Sequence, residues 1–409
     1  MFCNSSILTD FILGSRHLVV TTDIIKEMLG IPNYHIRRIF MKRIISLVLS
    51  VLLIGCTLTS CGISKSAEPV YSDSVVQVLS PTVNVDIHSE KQESFLNKPN
   101  FLAVFYARGS KELSIPEPVK FEWVYNGGQA VDNYVLSISQ SKDMTDSVSY
   151  TTSTNSYSLY NLKIDTTYYW TVSAGNQTSS VFEFTTYDSA PRNIYVDGIT
   201  NVRDLGGWKT ESGSRTNQGL IYRCGRLNES SSDSVNIEIT DAGKKTMLEI
   251  LGIKSEIDLR KVDGNEIGSI TSSPLGDTVN YFNCPMDWDG NMFENNKEQI
   301  KNVFSILSDE NNYPIIFHCN IGTDRTGMIA FLVNALLGVQ EDDLFRDYLY
   351  SNFGKIGNSR SISGLKKCGY YDAIQASDGN SLSEKTYNCL TSIGVPAEQL
   401  DSVISIMSD

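Results

Sequence analysis

The sequence predicts a multidomain chain, with an all-β sandwich followed by an α/β domain built on a parallel central sheet. Two observations carry that reading. Between about Val75 and Thr186, short runs rich in Val, Tyr, Phe, Thr and Ser alternate with turn clusters, and half of the 20 tyrosines lie between Tyr71 and Tyr187. Beyond Pro191 the pattern changes to apolar strand-like runs alternating with helix-length segments. A chain of 409 residues, 41% hydrophobic and 20% charged, has room for two or three domains of ordinary globular composition.

Net charge is −13, and it is unevenly spread. Residues 1–61 hold 6 Lys+Arg against 3 Asp+Glu, so the remainder carries 28 − 44 = −16. Such a surface repels phosphate backbones and argues against a nucleic-acid partner. The four histidines are His17, His35, His88 and His318, which excludes a His-rich zinc site in the second half and argues against a Ser-His-Asp hydrolase. No cofactor and no metal is implied.

The first 72 residues read as targeting rather than fold. Met41-Lys42-Arg43 precedes an uncharged apolar run from Ile44 to Gly55, and small residues then lead to cysteines at 56 and 61. A basic start, a short apolar stretch and small residues before a cysteine describe an export signal at 41–61. Leu58-Thr59-Ser60-Cys61 resembles a bacterial lipobox, with Cys61 as the lipidation site and Cys56 as the alternative. The resemblance implies an acylated cysteine at the mature N-terminus, outside the cell. The competing reading is an uncleaved membrane helix, since 21 residues from Ile44 to Ser64 carry no charge. Residues 1–40 read as an extension ahead of the true start at Met41, or as a cytoplasmic segment. Residues 62–72 form a polar tether. Five cysteines follow Cys61, an odd and scattered set that is no disulfide framework.

Within the sandwich, placed at 73–188, strands are expected at Phe101–Tyr106, Val119–Val124, Asn133–Ser139, Thr167–Ala174 and Ser179–Thr186. Trp123 is expected to fill the inter-sheet core. The segment from Leu162 to Val172 resembles the corner of a fibronectin type III module, with Tyr168 as the corner tyrosine bonding backbone near Leu162. In the α/β domain, placed at 192–409, strands are expected at Gly219–Tyr222, Lys254–Asp258, Asn280–Asn283 and Tyr313–His318. Helices are expected at Thr240–Leu251, Glu298–Leu307, Arg325–Leu337, Glu341–Ser351 and Ala397–Met407.

The chemistry sits between the strand ending at His318 and the helix starting at Arg325. There the chain reads Cys319-Asn320-Ile321-Gly322-Thr323-Asp324-Arg325-Thr326-Gly327. A tight loop at a helix N-terminus points successive N–H groups at one place and makes an anion nest. Arg325 adds a planar fork for two phosphate oxygens. The same positive field lowers the thiol pKa of Cys319 and yields a thiolate, which attacks phosphorus and leaves a phosphocysteine for water to hydrolyse. The phosphate-binding set is thus Asn320, Ile321, Gly322, Thr323, Asp324 and Arg325. Thr326 can turn its hydroxyl to the sulfur, and His318 anchors the loop. An amphipathic helix is expected after the loop.

His-Cys-x-x-Gly-x-Asp-Arg-Thr-Gly resembles the active-site loop of cysteine-dependent protein tyrosine phosphatases, in the bacterial branch of secreted tyrosine and phosphoinositide phosphatases. Asn201-Val202-Arg203-Asp204-Leu205-Gly206-Gly207, Tyr222-Arg223-Cys224-Gly225 and Asp258-Leu259-Arg260 match further segments of that branch. The resemblance implies a metal-free phosphomonoester hydrolase. Thr323 stands where the branch usually has Lys, a lysine expected to reach extra phosphates. Cys224 replaces a small hydroxyl residue. The acidic residue of the Asp-Leu-Arg segment is displaced, with Asp263 and Glu266 the nearest candidates.

A phenolate leaving group needs a proton. Asp324 is the candidate acid, with Asp287 and Asp289, flanking Trp288, as alternatives. Arg203, Arg223 and Asp204 either line the pocket or form structural ion pairs. Three functions stay open. The first is an exported, lipid-anchored phosphatase acting on phosphotyrosine, with dual specificity open, or on a phosphorylated small molecule. The second is an inositol polyphosphate or phosphoinositide phosphatase with the same loop. The third is a cell-surface binding protein with a dead phosphatase domain. The sandwich acts as a spacer or holds a surface ligand.

Overall fold

Runs of β-branched and aromatic residues with period-two burial open the fold. The computed structural model describes residues 71–98, 108–128, 130–228, 237–262, 266 and 269–408. The export segment, the extension before it and the expected strand Phe101–Tyr106 lie outside these residues. Among the described residues no helix is long and apolar enough to cross a membrane.

Strands β1 (Val76–Ser80), β2 (Val119–Tyr125) and β5 (Ser156–Leu159) form one antiparallel sheet in the order β1-β2-β5. Strands β3 (Tyr134–Ser139), β4 (Val148–Thr152), β6 (Thr167–Ala174) and β7 (Gln177–Thr178) form a second, in the order β4-β3-β6-β7, with β8 (Phe182–Thr185) also on β6. The sheets share a core. Phe121 and Trp170, both 0% exposed, meet edge to face at 5.1 Å across it, and Trp123 is buried beside them as expected. Burial of each such ring stabilises the fold by roughly 1.5–3 kcal/mol. The Tyr168 hydroxyl accepts a hydrogen bond from Lys163 N at 2.8 Å, the corner contact the sequence anticipates.

A helix the sequence did not signal, α1 (Glu90–Leu96), interrupts this β region. Ser89 and Gln92 cap it reciprocally, and its Phe95 packs on Tyr350 and Phe353 in the core of the α/β part. The β region is therefore no detached spacer. Residues 70–409 form one compact unit. Gln218 exchanges two hydrogen bonds with the backbone of Ile164, and Asn161 brackets Tyr195 in the same way. Arg192 reaches Leu162 O at 3.1 Å and Asp204 at 2.9 Å.

The third sheet, that of the α/β part, has five strands: β9 (Arg203–Asp204), β10 (Ile221–Cys224), β11 (Ser255–Asp258), β12 (Asn280–Asn283) and β13 (Ile315–His318). Their order is β12-β11-β13-β10-β9. Four strands are parallel, whereas β9 runs antiparallel to β10, so the sheet is mixed at one edge rather than parallel throughout. Helices α2 (Asp241–Lys245), α3 (Met292–Asn295), α4 (Lys297–Leu307), α5 (Asp324–Leu336), α6 (Glu341–Tyr350), α7 (Ile362–Lys367), α8 (Tyr370–Ala376), α9 (Leu382–Ser392) and α10 (Ala397–Met407) complete the fold. The expected helix at Thr240–Leu251 is divided, α2 passing into a π-helical turn at Thr246–Ile250.

Strand β13 is central, and every residue of it is buried. Helix α5 is not amphipathic as expected, because Arg325 to Leu336 are all buried. A helix apolar on every face belongs inside a core, and here helices α6 and α9 cover it. The loop between β13 and α5 is thereby fixed at both ends.

Candidate active site

Cys319 follows the last residue of β13 and is 2% exposed. It lines a cleft of about 310 Å³ together with Asn320, Ile321, Asp324 and Arg325 of its own loop. The opposite walls are Glu266, Trp288 and the loop residues Ile356, Gly357, Asn358 and Arg360. The N–H groups of Ile321, Gly322, Thr323, Asp324 and Arg325 donate to no other backbone group among the described residues. These are unspent donors around one sulfur, at the positive end of a 13-residue helix.

Burial alone pushes the Cys319 thiol up. Arg325 and the hydroxyl and N–H of Thr326 outweigh that, and the pKa falls below the ordinary thiol value. The Thr326 hydroxyl is buried with no conventional partner, so its contribution goes to the sulfur. Arg325 is held as a fork: NH1 donates to Glu266 Oε2 at 2.6 Å and NH2 donates to Glu266 Oε1. NH1 also reaches the carbonyls of Leu259 at 3.1 Å and Met286 at 3.2 Å. Its Nε is buried and unpartnered. A buried guanidinium N–H left without an acceptor costs free energy that an incoming anion can recover.

The loop is braced from below. Gly322 has φ +70°, and a Cβ there would meet Cys224 O at 2.2 Å. Its carbonyl accepts from Asn201 Nδ2 at 2.9 Å and from Arg223 NH2 at 3.0 Å. Arg203 and Arg223 do not line the pocket. Both are buried in structural ion pairs and share Asp347, at 2.7 Å and 2.6 Å. Asp204 instead pairs with Arg192 and accepts from Gly206 N and Gly219 N. Crowding of two guanidiniums in a dry site, burial first and Arg203 second, lowers the Arg223 pKa to about 10.

His318 is buried with a partner at each ring nitrogen. Its Nδ1 lies 3.0 Å from Cys319 O and its Nε2 2.9 Å from Glu256 Oε1. Burial opposes charge on the ring, yet Asp258 and Glu256 raise its pKa, which favours the imidazolium donating at both nitrogens. Glu256, Asp258 and His318 lie close enough to hold a metal ion. Their atoms are already committed, Asp258 to Arg260 and Tyr281, and Glu256 to Ser273 and His318.

The acid candidates separate. Asp324 lines the cleft, but its carboxylate is forked by Arg360, with Nε to Oδ1 at 2.8 Å and NH2 to Oδ2 at 2.9 Å. Asp287 pairs with Lys261, and Asp289 is exposed; neither lines the cleft, although Trp288 between them does, at 66% exposed. Thr323 corrects the sequence reading. Its side chain is 0% exposed and turns back to Ile321 O at 3.3 Å, so it does not face a ligand. Asp263 lies outside the described residues, and Glu266 is the acidic partner of the Asp-Leu-Arg segment's neighbour Arg325.

The region 194–368 matches the description "Tyrosine phosphatase family". The C-terminal part of this chain is a tyrosine phosphatase family domain. Such a domain is a cysteine-dependent phosphomonoester hydrolase. A candidate tyrosine-protein phosphatase of Cupriavidus necator is 28% identical over 182 residues, covering 39% of this chain and 63% of that protein. A tyrosine-protein phosphatase of Nostoc commune is 38% identical over 53 residues, covering 13% of this chain and 18% of that protein. The chain thus spans less than two thirds of the length of either relative. Among solved structures, the catalytic core of the PP-IP phosphatase SIW14 from S. cerevisiae is 18% identical, covers 38% of this chain and 84% of that one, and has TM-score 0.26. P. aeruginosa TpbA is 16% identical, covers 42% and 88%, and has TM-score 0.27.

Three features in and behind the phosphatase domain's cleft escaped the sequence reading. Arg360 stands 36 residues beyond Asp324 in an unremarkable Ser-rich stretch. Asp347, the brace of Arg203 and Arg223, sits in a helix whose acidic residues look like solvated surface. The third is the N-terminal segment around Gly109, whose carbonyl accepts from Ile356 N and Gly357 N, both at 2.9 Å. Glu112 of that segment accepts from Lys355 N at 3.1 Å and bonds Thr200. The β region thereby props the wall that carries Arg360, and no local signal announces so distant a contact.

Proposed function

We propose that this protein is a phosphotyrosine phosphatase that works through a phosphocysteine on Cys319, and that it is exported and lipid-anchored at Cys61 or Cys56. The observation that carries the catalytic reading is the set of unspent donors around Cys319: five loop N–H groups and the buried Nε of Arg325. A phosphate dianion at this helix N-terminus can take such donors, with its phosphorus beside a thiolate of lowered pKa. Attack by sulfur forms the S–P bond as the phenolic oxygen leaves. Asp324, released from Arg360 and protonated, gives that oxygen its proton. Water then takes the phosphoryl group and the thiolate returns, helped by the Thr326 hydroxyl.

The exposed Trp288 at the mouth favours an aryl phosphate, because its indole offers a stacking face for a tyrosine ring. The buried side chain of Thr323 supplies no cation for a polyphosphorylated ring. We read the N-terminal sheets as a fibronectin type III-like module, supported by the Tyr168 corner contact. The anchoring reading rests on the basic start at Met41, the apolar run and the cysteine context alone.

The chain from residue 62, assayed without metal on phosphotyrosine peptides, phosphoinositides and phytate, is expected to hydrolyse the peptides best. Cys319→Ser is expected to lose turnover and still bind vanadate. Turnover by the serine variant, or a requirement for metal, sinks the mechanism.

A further inference from the structure

Arg360 enters the active-site cleft from the loop between α6 and α7, beside Cys319 and Asp324. A guanidinium has five N–H donors. Three are bonded here, two to Asp324 and one from NH1 to Asn358 O at 2.9 Å. Two are left, and the side chain is 20% exposed, so the remaining donors have access to the cleft. The loop is rigidly set: Arg360 N donates to Asn352 Oδ1 at 2.7 Å, and Gly109 O ties down Ile356 and Gly357.

The charges around the cleft explain what such an arginine can do. Arg325 is balanced by Glu266, and Arg360 by Asp324. With the Cys319 thiolate added, the site is already negative before a phosphate dianion arrives. A second anion on the substrate is therefore repelled while Asp324 is ionised. Once Asp324 takes a proton from solvent, as a general acid must, Arg360 is left with a net positive charge and four donors to offer, the fifth staying on Asn358 O.

We propose that Arg360 is a specificity-determining residue that binds a second anionic group of the substrate, next to the phosphate held over Cys319. Binding of that group and protonation of Asp324 favour each other, since the ionised Asp324 carboxylate and the second anion compete for the same guanidinium. A substrate with a second anion thus loads the acid that its own leaving group requires. The proton comes from solvent to Asp324 and ends on the leaving oxygen, and no other reactant is involved. The proposal rests on the reading of Cys319 as nucleophile. The second anion can be a carboxylate flanking phosphotyrosine or another phosphate on the same small molecule.

The test uses the full exported chain and its Arg360→Gln and Arg360→Lys variants. Substrates are phosphotyrosine peptides flanked by Glu or by Gln, phytate, and p-nitrophenyl phosphate, whose leaving group needs little protonation. For the parent, kcat/KM at low salt is expected to favour a substrate with a second anion by about tenfold or more. With the peptides the gain falls partly on kcat. The preference collapses to near one in Arg360→Gln and is partly kept in Arg360→Lys. A gain confined to Glu-flanked peptides identifies a carboxylate, and one confined to phytate identifies a second phosphate. A Glu/Gln ratio near one together with no phytate activity in the parent overturns the proposal. So does a preference that survives in Arg360→Gln, or equal losses on every substrate, which would make Arg360 only a holder of Asp324. A parent inactive even on p-nitrophenyl phosphate would remove the phosphatase reading itself, a result distinct from any of these.

Discussion

Replacing Gly322 by alanine adds one methyl group and should disable the site while leaving a folded protein. The residue sits at φ +70°, a conformation that costs an L-residue about 1–2 kcal/mol. The steric clash matters more. The new Cβ would lie 2.2 Å from Cys224 O, against the 3.0 Å that real Cβ atoms keep, so something must move by at least 3.0 − 2.2 = 0.8 Å. Cys224 O belongs to a buried strand paired on both sides, and it cannot yield. The loop must therefore shift, against the grip of Asn201 and Arg223 on the Gly322 carbonyl. A displacement near 1 Å at reacting atoms can cost about 100-fold in rate. The assay is kcat/KM on an aryl phosphate beside the thermal midpoint, with Gly252→Ala as control. Gly252 has φ +67° and nothing within 4 Å of its Cβ position, so it carries the conformational cost without the clash. Both variants should lose stability, and Gly322→Ala alone should lose about 100-fold or more in kcat/KM. If Gly322→Ala keeps activity within about threefold of the parent, a fixed backbone cradle does not set the rate and the reasoning is refuted.

Asp324→Asn is expected to cost far more on phosphotyrosine than on an activated aryl phosphate, measured as the ratio of kcat values; equal losses move the proton donor elsewhere. Thr323→Lys is expected to lower the thermal midpoint and leave the phosphoinositide-to-phosphotyrosine ratio unchanged, because the side chain is buried away from the cleft. A raised ratio would show that position 323 reaches the substrate. Alkylation of Cys319 by iodoacetate should follow its thiolate: burial opposes ionisation, but Arg325 and Thr326 lower the pKa, so the rate climbs with pH and levels off below the usual thiol range near about 8.5. A plateau at or above that value contradicts the electrostatics.

The catalytic loop was legible because its chemistry is local. A strand, a turn with one obligatory glycine and a helix start follow one another directly in the chain, and β12 and α10 match their expected spans residue for residue. The Tyr168 corner was readable for the same reason, its two bonded groups being close neighbours in sequence. Edge strands were not: β4 is largely exposed, so no alternation marks it. Helices α7 and α9 were missed because Ser, Asn and Gly dilute their apolar faces, and only the caps Ser361 and Ser381 announce them. The roles of Arg360, Asp347 and Gly109 depend on partners far away in the chain, and charge pairing at that range leaves no spacing to read. Thr323 was misjudged because a loop position alone does not say whether a side chain points to the ligand or into the fold.

The most direct test of the central claim is to trap the enzyme in turnover. The full chain is mixed with a phosphotyrosine peptide, quenched in acid within milliseconds, digested and analysed by mass spectrometry. The expected result is a phosphoryl group on Cys319 in the peptide that spans the loop, absent in Cys319→Ser and enriched when Thr326→Ala slows hydrolysis of the intermediate. Phosphorylation of any other residue, or full turnover with Cys319 never modified, contradicts it.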